Sequence, residues 1–300
     1  MMTAPILETN QLIKRFGKFT ALDGVDLTLY PGEVFGYIGP NGAGKTTTIN
    51  VLLGILKADS GRVCIFGKDA WKDAVEIHKR VAYVPGDVNL WPSLTGGEVI
   101  DLLTSLHSKV NPARRQKLLE MFELDPSKKC RAYSKGNRQK VALIAALALD
   151  CDLYILDEPT SGLDPLMEQV FQECVGELKA QGKTILLSSH ILSEVERLCD
   201  RISIIRDGKI IKTGTLSELR YLTSISMTVE TLRPIEHLDQ MKGVSAIHQS
   251  QHGLCFQVAS DEMSNVISQI AQYGVIKLES KPATLEDLFM RHYGGNENEK

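Results

Sequence analysis

Two periodicities alternate along the first two thirds of the chain. Short apolar runs at Val34–Ile38, Val81–Val84, 153–156 and 184–187 read as buried strands. Segments with helical spacing occupy 97–109, 112–124, 136–149 and about 165–180; in the third of these Val141, Ile144, Ala145 and Ala148 share one face. Strands alternating with helices predict a parallel sheet. Ahead of them, residues 6–29 read as antiparallel strand segments, and the break Pro31, Gly32, Glu33 leads into the first apolar run. The stretch RISIIRDGKIIKTG predicts a hairpin turning at Asp207 and Gly208, a pair suited to a type I′ turn.

The pattern changes after about Arg220. Residues 226–230 alternate as a strand, 232–241 are expected to be helical, and 244–248 with 254–258 can pair around Gly253. Met263, Val266, Ile267 and Ile270 mark one helix face, and 275–278 gives a last strand. The order βαββαβ predicts a small ferredoxin-like α+β domain over 221–293, after a first domain over 1–220 and before a polar, disordered tail at 294–300.

Composition narrows the setting. Of 300 residues, 43% are apolar, enough for real cores, while the longest apolar run, 141–149, falls far short of a membrane span. The opening MMTAPILETN has no basic region ahead of an apolar core, so no signal peptide is expected. Six scattered cysteines without a CxxC pair point to thiols in a reducing cytoplasm. The net charge is −3 and no Lys or Arg run exceeds two residues, so no nucleic-acid partner is expected.

The chemistry is carried by GPNGAGKTT: Gly39, Pro40, Asn41, Gly42, Ala43, Gly44, Lys45, Thr46 and Thr47. It matches the phosphate-binding loop GxxxxGK[ST] between a strand and a helix. The glycines let successive N–H groups and a helix N-terminus converge on one anion site. Lys45 is expected to reach the β and γ phosphates, and the Thr46 hydroxyl to sit on Mg²⁺. The run Leu153, Tyr154, Ile155, Leu156 ends in two acids, Asp157 and Glu158. We assign Asp157 to the metal and Glu158 to the attacking water.

A phosphate loop alone admits kinases, GTPases and ATPases. Downstream motifs decide between them: YSKGNRQK at Tyr133 to Lys140, SGLDP at Ser161 to Pro165, and SSH ending in His190. Over residues 6–219 the chain resembles the ABC ATPases, the nucleotide-binding subunits of ATP-binding cassette transporters. The resemblance implies a P-loop NTPase fold of α/β class, with antiparallel β and helical subdomains, and the cofactors ATP and Mg²⁺. It implies the signature residues Ser134 and Gly136 acting in trans on ATP held by a second cassette, identical or not. It also implies His190 as a γ-phosphate sensor and Phe16 stacked on adenine. An apolar core role competes for Phe16, and Phe19 is a second candidate; an ordinary N-cap role competes for Ser134.

The chain departs from that pattern at two places. Gly86 stands where many cassettes carry a glutamine, leaving metal contact there to Asp87 or water, and Lys135 and Asn137 replace a common glycine and glutamine. Lys135 is expected to be solvated. With the run NLWPSLTGGEV and the C-terminal extension, these variants resemble cassettes serving ABC-2 type exporters. The implied partner is an integral-membrane permease subunit, with the chain peripheral on the cytoplasmic face of the cell membrane. The alternative is a soluble ABC-type switch acting on DNA or the ribosome, which usually carries two cassettes or a long coiled coil; only 89 positions separate Lys45 from Ser134. The second domain either senses a small ligand or, as we favour, holds two cassettes together.

Overall fold

A strand that is apolar on both faces is stable only between two covering layers. Such strands build the centre of this protein. A computed structural model describes residues 4–107, 112–221, 225–250, 253–259 and 262–281, in two compact units, Met1–Gly214 and Thr215–Lys300. The division falls a few residues before the boundary expected at 220, and the tail at 294–300 lies outside the described residues.

In the first unit β1 (Leu7–Phe16) and β2 (Phe19–Leu29) are followed by β3 (Val34–Ile38) and α1 (Lys45–Leu52). Then come β4 (Ser60–Ile65), β5 (Lys68–Asp69), α2 (Ala74–His78) and β6 (Val81–Val84). Three helices follow, α3 (Gly96–Ser105), α4 (Pro112–Met121) and α5 (Lys135–Leu147). The unit closes with β7 (Leu153–Asp157), α6 (Pro165–Ala180), β8 (Thr184–Ser189), α7 (Leu192–Leu198), β9 (Arg201–Arg206) and β10 (Lys209–Thr215).

The main sheet has the order β10-β9-β3-β8-β7-β6, with β9, β3, β8, β7 and β6 parallel, as the alternation predicts. Every residue of β3, β7 and β8 is buried. Asp207 and Gly208 turn the β9–β10 hairpin with φ of 48° and 74°, the left-handed values a type I′ turn needs. A second sheet, β2-β1-β4-β5, is antiparallel. Helix α1 shares one core with both: Ile49, Val51 and Leu52 cluster with Leu22 and Val63 of the second sheet and with Ile155 and Leu186 of the main sheet. Each such fully buried aliphatic side chain contributes about 1.5–3 kcal/mol.

Helices α3 and α4 end before the expected limits. The chain leaves α4 by way of Glu123 at a φ of 50°, and part of the expected 97–109 helix lies outside the described residues. Thr95 and Glu98 form a capping box that starts α3. All six cysteines are free, and burial pushes Cys151 and Cys174 up to about 12, which keeps those thiols protonated.

The second unit begins with α8 (Leu216–Tyr221), capped by a reciprocal Thr215–Glu218 pair. It continues with β11 (Ile225–Thr231), β12 (Val244–Ser250), β13 (Gly253–Val258), α9 (Met263–Ile270) and β14 (Val275–Lys281). The sheet order is β12-β13-β11-β14, with antiparallel neighbours, and α9 buries Val266 and Ile270 against Met227, Val229 and Phe256. The helix expected over 232–241 does not form; a short 3-10 turn at Leu238–Gln240 is all that appears there. A distant pairing and one local residue hold the segment out of helix. The N–H groups of Leu232 and Arg233 are already given to the Gly274 and Tyr273 carbonyls, and Pro234 turns Arg233 away from helical backbone.

Candidate nucleotide site

The phosphate loop spans the step from β3 to α1. Gly42 and Gly44 adopt φ of 81° and 111°, where a side chain is strained, and a Cβ on Gly44 would lie 2.9 Å from the Ala21 carbonyl oxygen. Gly39 contributes differently from the expected backbone curl. Its φ is ordinary, but a Cβ there would lie 2.5 Å from the Ile205 carbonyl oxygen, so the requirement is close packing on β9.

Lys45 is buried beneath this loop. Its Nζ donates to the carbonyls of Gly39 at 2.6 Å and Pro40 at 3.1 Å and lies 3.2 Å from Glu158 Oε1. The other Glu158 oxygen, Oε2, lies 3.3 Å from His190 Nδ1. One carboxylate therefore joins the loop lysine to the histidine at the end of β8. Glu158 has a φ of 46°, a left-handed value uncommon for a residue with a side chain, and its N–H is fixed by both the backbone and the hydroxyl oxygen of Ser188 at 3.1 Å.

Asp157 is fully buried. The Thr46 hydroxyl donates to its Oδ2 at 2.9 Å and the Ser188 hydroxyl to its Oδ1. Its negative charge, after the larger effect of burial, pushes Tyr83 up to about 12. A hydroxyl beside a carboxylate is an oxygen donor pair that fits a hard divalent ion keeping most of its other positions for water and phosphate. Gly86 touches this centre: a Cβ there would stand 3.5 Å from Asp157 Oδ2. The neighbouring Asp87 is exposed and accepts a bond from Asn89 at 3.2 Å.

A cleft of about 320 Å³ over the loop is lined by Pro40, Asn41, Gly42, Gly44, Lys45, Thr46, Thr47 and Glu158, with Ala21 and Phe19. Phe16 and Phe19 pair across the β1–β2 hairpin and both are exposed, at 48% and 64%, so neither is core. Phe19, the second candidate from the sequence, lines the cleft; Phe16 is not among its lining residues and has Lys14 over its ring at 5.4 Å.

Ser134 and Gly136 are not among the residues lining that cleft. Ser134 is the N-cap of α5 and accepts from the Asn137 N–H at 3.3 Å. A Cβ on Gly136 would lie 2.5 Å from the Gly162 carbonyl oxygen, and Lys135 is exposed yet donates to the Ser161 hydroxyl at 3.0 Å. The start of α5 thus rests on the SGLDP segment, whose Asp164 caps α6 by accepting from Leu166 and Met167.

Sequence reasoning missed the part played by Ser188. Ser188 sits directly opposite Asp157 in the β7–β8 register, a pairing that the sequence alone does not give. His78, read as structural, bonds the Leu53 carbonyl at 2.8 Å, and burial pushes the pKa of His107 down.

The profile of the ABC transporter family matches residues 22–161. An uncharacterized ABC transporter ATP-binding protein of Nostoc, all4389, is 43% identical over 67% of this chain and 62% of its own length, so the chain spans about three fifths of that relative. Nod factor export ATP-binding protein I of Cupriavidus metallidurans is 33% identical over 98% of both chains. The daunorubicin resistance ATP-binding protein DrrA3 of Streptomyces coeruleorubidus is 38% identical over 69% of this chain and 67% of its own. Among solved structures, an ATP-binding subunit of an ABC transporter superposes with a TM-score of 0.67 at 34% identity, over 72% of this chain and 92% of that one. The dimeric post-hydrolysis state of the cassette MJ0796, bound to ADP and Pi, gives 0.63 at 26% identity, over 70% and 98%. With the phosphate loop, its acid pair and its histidine brought together at the ends of parallel strands, and with a relative similar over nearly the whole length, the chain belongs to the ABC transporter family as an ATP-binding cassette.

Proposed function

We propose that this chain is the ATP-hydrolysing subunit of an ABC-2 type exporter. ATP draws two cassettes together, and hydrolysis lets them part, on a separately encoded integral-membrane permease at the cytoplasmic face of the cell membrane. The observation that carries this reading is the Glu158 carboxylate, held between Lys45 and His190 at the mouth of the phosphate cleft. A base in that position orients water toward a terminal phosphate, while Lys45 and the loop N–H groups stabilise its charge. Thr46 and Asp157 are the residues to hold Mg²⁺, which when bound neutralises phosphate charge. Phe19 or Phe16 would stack on the base.

Two further observations support the partners. Ser134 and Gly136 stand apart from the cleft of their own chain, which suits an anion site at a helix N-terminus offered to a second cassette. An apolar cleft of about 360 Å³, with the half-exposed Trp91 and the exposed Leu106 at its rim, suits a helix of the permease. Export as the direction is supported by the relatives named for Nod factor export and daunorubicin resistance. The second unit reads as a ferredoxin-like domain lacking its first helix, and we assign it to holding the cassettes together.

The test is co-purification from membranes of tagged chain carrying Glu158→Gln, in ATP and Mg²⁺, with identification of what is bound. Recovery of a polytopic membrane protein is expected. Recovery of only soluble partners or nucleic acid, with ATP bound, would overturn the exporter reading in favour of a soluble switch.

A further inference from the structure

Glu194 is a carboxylic acid placed where water does not reach it. It lies on α7, four residues after His190, and is 6% exposed. Its Oε2 accepts from the Ser189 hydroxyl at 2.7 Å, and its Oε1 has no hydrogen-bond partner among the described residues. A buried carboxyl satisfied on one side only is costly, and an apolar residue would close the core at lower cost.

Its partner Ser189 adjoins His190. Ser189 precedes His190, and its hydroxyl oxygen also accepts from the Ile191 N–H at 3.0 Å, so it clasps the histidine from both sides.

We propose that Glu194 is a positioning residue for ATP hydrolysis, fixing the His190 turn through Ser189. It acts through that hydroxyl and keeps His190 at 3.3 Å from Glu158. The proposal rests on the reading of Glu158 and His190 given above.

The experiment uses the purified full chain and its Glu194→Ala, Glu194→Gln and His190→Ala variants. It reads kcat for ATP and, separately, equilibrium binding of a fluorescent ATP analogue. Glu194→Ala is expected to lower kcat about tenfold, the scale on which outer supporting residues act, with analogue affinity unchanged. Glu194→Gln, which keeps the shape and the hydrogen bond, is expected to restore most of the rate. The double variant with His190→Ala is expected to be no slower than His190→Ala alone, since both act through one group. A wild-type kcat in Glu194→Ala, an equal loss in Glu194→Gln, or additive losses in the double variant would each overturn the proposal. If Glu194→Ala does not fold, Ser189→Ala takes its place, with the same loss expected and a wild-type rate overturning it. Full turnover in His190→Ala identifies the failure instead as one of the underlying reading of His190.

Discussion

At the scale of single residues, the site is built from groups that offset one another's charge. Lys45 is surrounded by two loop carbonyls and the Glu158 carboxylate, so this buried ammonium has hydrogen-bonding and charged partners on the protein itself. Lys45→Ala is expected to weaken ATP binding by about 1.5–3 kcal/mol, the scale of a hydrogen bond to a charged group, as read by calorimetric titration. Glu194 supplies a pH dependence. Burial raises its pKa above the ordinary 4.5, the hydrogen bond from Ser189 lowers it, and the Glu168 carboxylate adds to the rise. Above about pH 4.5 the folded chain therefore binds more protons here than the unfolded one, and this contribution to stability is lost as pH rises through the folded pKa. Glu194→Gln removes that loss, so its Tm relative to wild type should climb as pH increases from 4.5; a difference constant with pH would contradict this. The sequence made Lys45, Thr46, Asp157 and Glu158 legible because a loop motif and an apolar strand ending in acids fix where they stand. Ser188 and Glu194 were not legible, since a serine in a strand and a glutamate on a short helix look the same whether buried or solvated. The sequence ranked Phe16 ahead of Phe19, yet the two face each other across one hairpin and it is Phe19 that lines the cleft.

At the scale of elements, two helix starts carry the argument. Thr95 and Glu98 satisfy each other's backbone donors at the head of α3, so Thr95→Ala is expected to cost about 1 kcal/mol in denaturant unfolding with ATP turnover kept. The start of α5 rests on Gly162 with no room for a methyl group at Gly136. Gly136→Ala must separate α5 from the SGLDP segment, and is expected to lose about 1–3 kcal/mol of stability together with turnover. Unchanged stability would show that the two segments part freely. The parallel strands and the β9–β10 turn were legible because burial on both faces and an Asp-Gly pair leave few other structures open. The segment 232–241 was not, because its apolar spacing is helical while its N–H groups are claimed by Tyr273 and Gly274, some forty residues on along the chain. A partner that distant in sequence overrides local preference, and Pro234 was the one local sign of it.

At the scale of the whole molecule, the main sheet brings the ends of β3, β7 and β8 to one edge, where the loop, the acid pair and the histidine meet. The signature residues on α5 lie outside that cleft. Family and fold were legible here because several short motifs occur in order; cargo and partner leave no such marks. The central claim is that ATP is hydrolysed at this meeting point with Glu158 placing the water. The most direct measurement compares ATP binding and steady-state turnover of the purified chain with those of Glu158→Gln. The variant is expected to bind ATP as tightly as wild type while kcat falls by about 10²–10⁴, the range for loss of a positioned base. Turnover equal to wild type with binding intact would contradict the account.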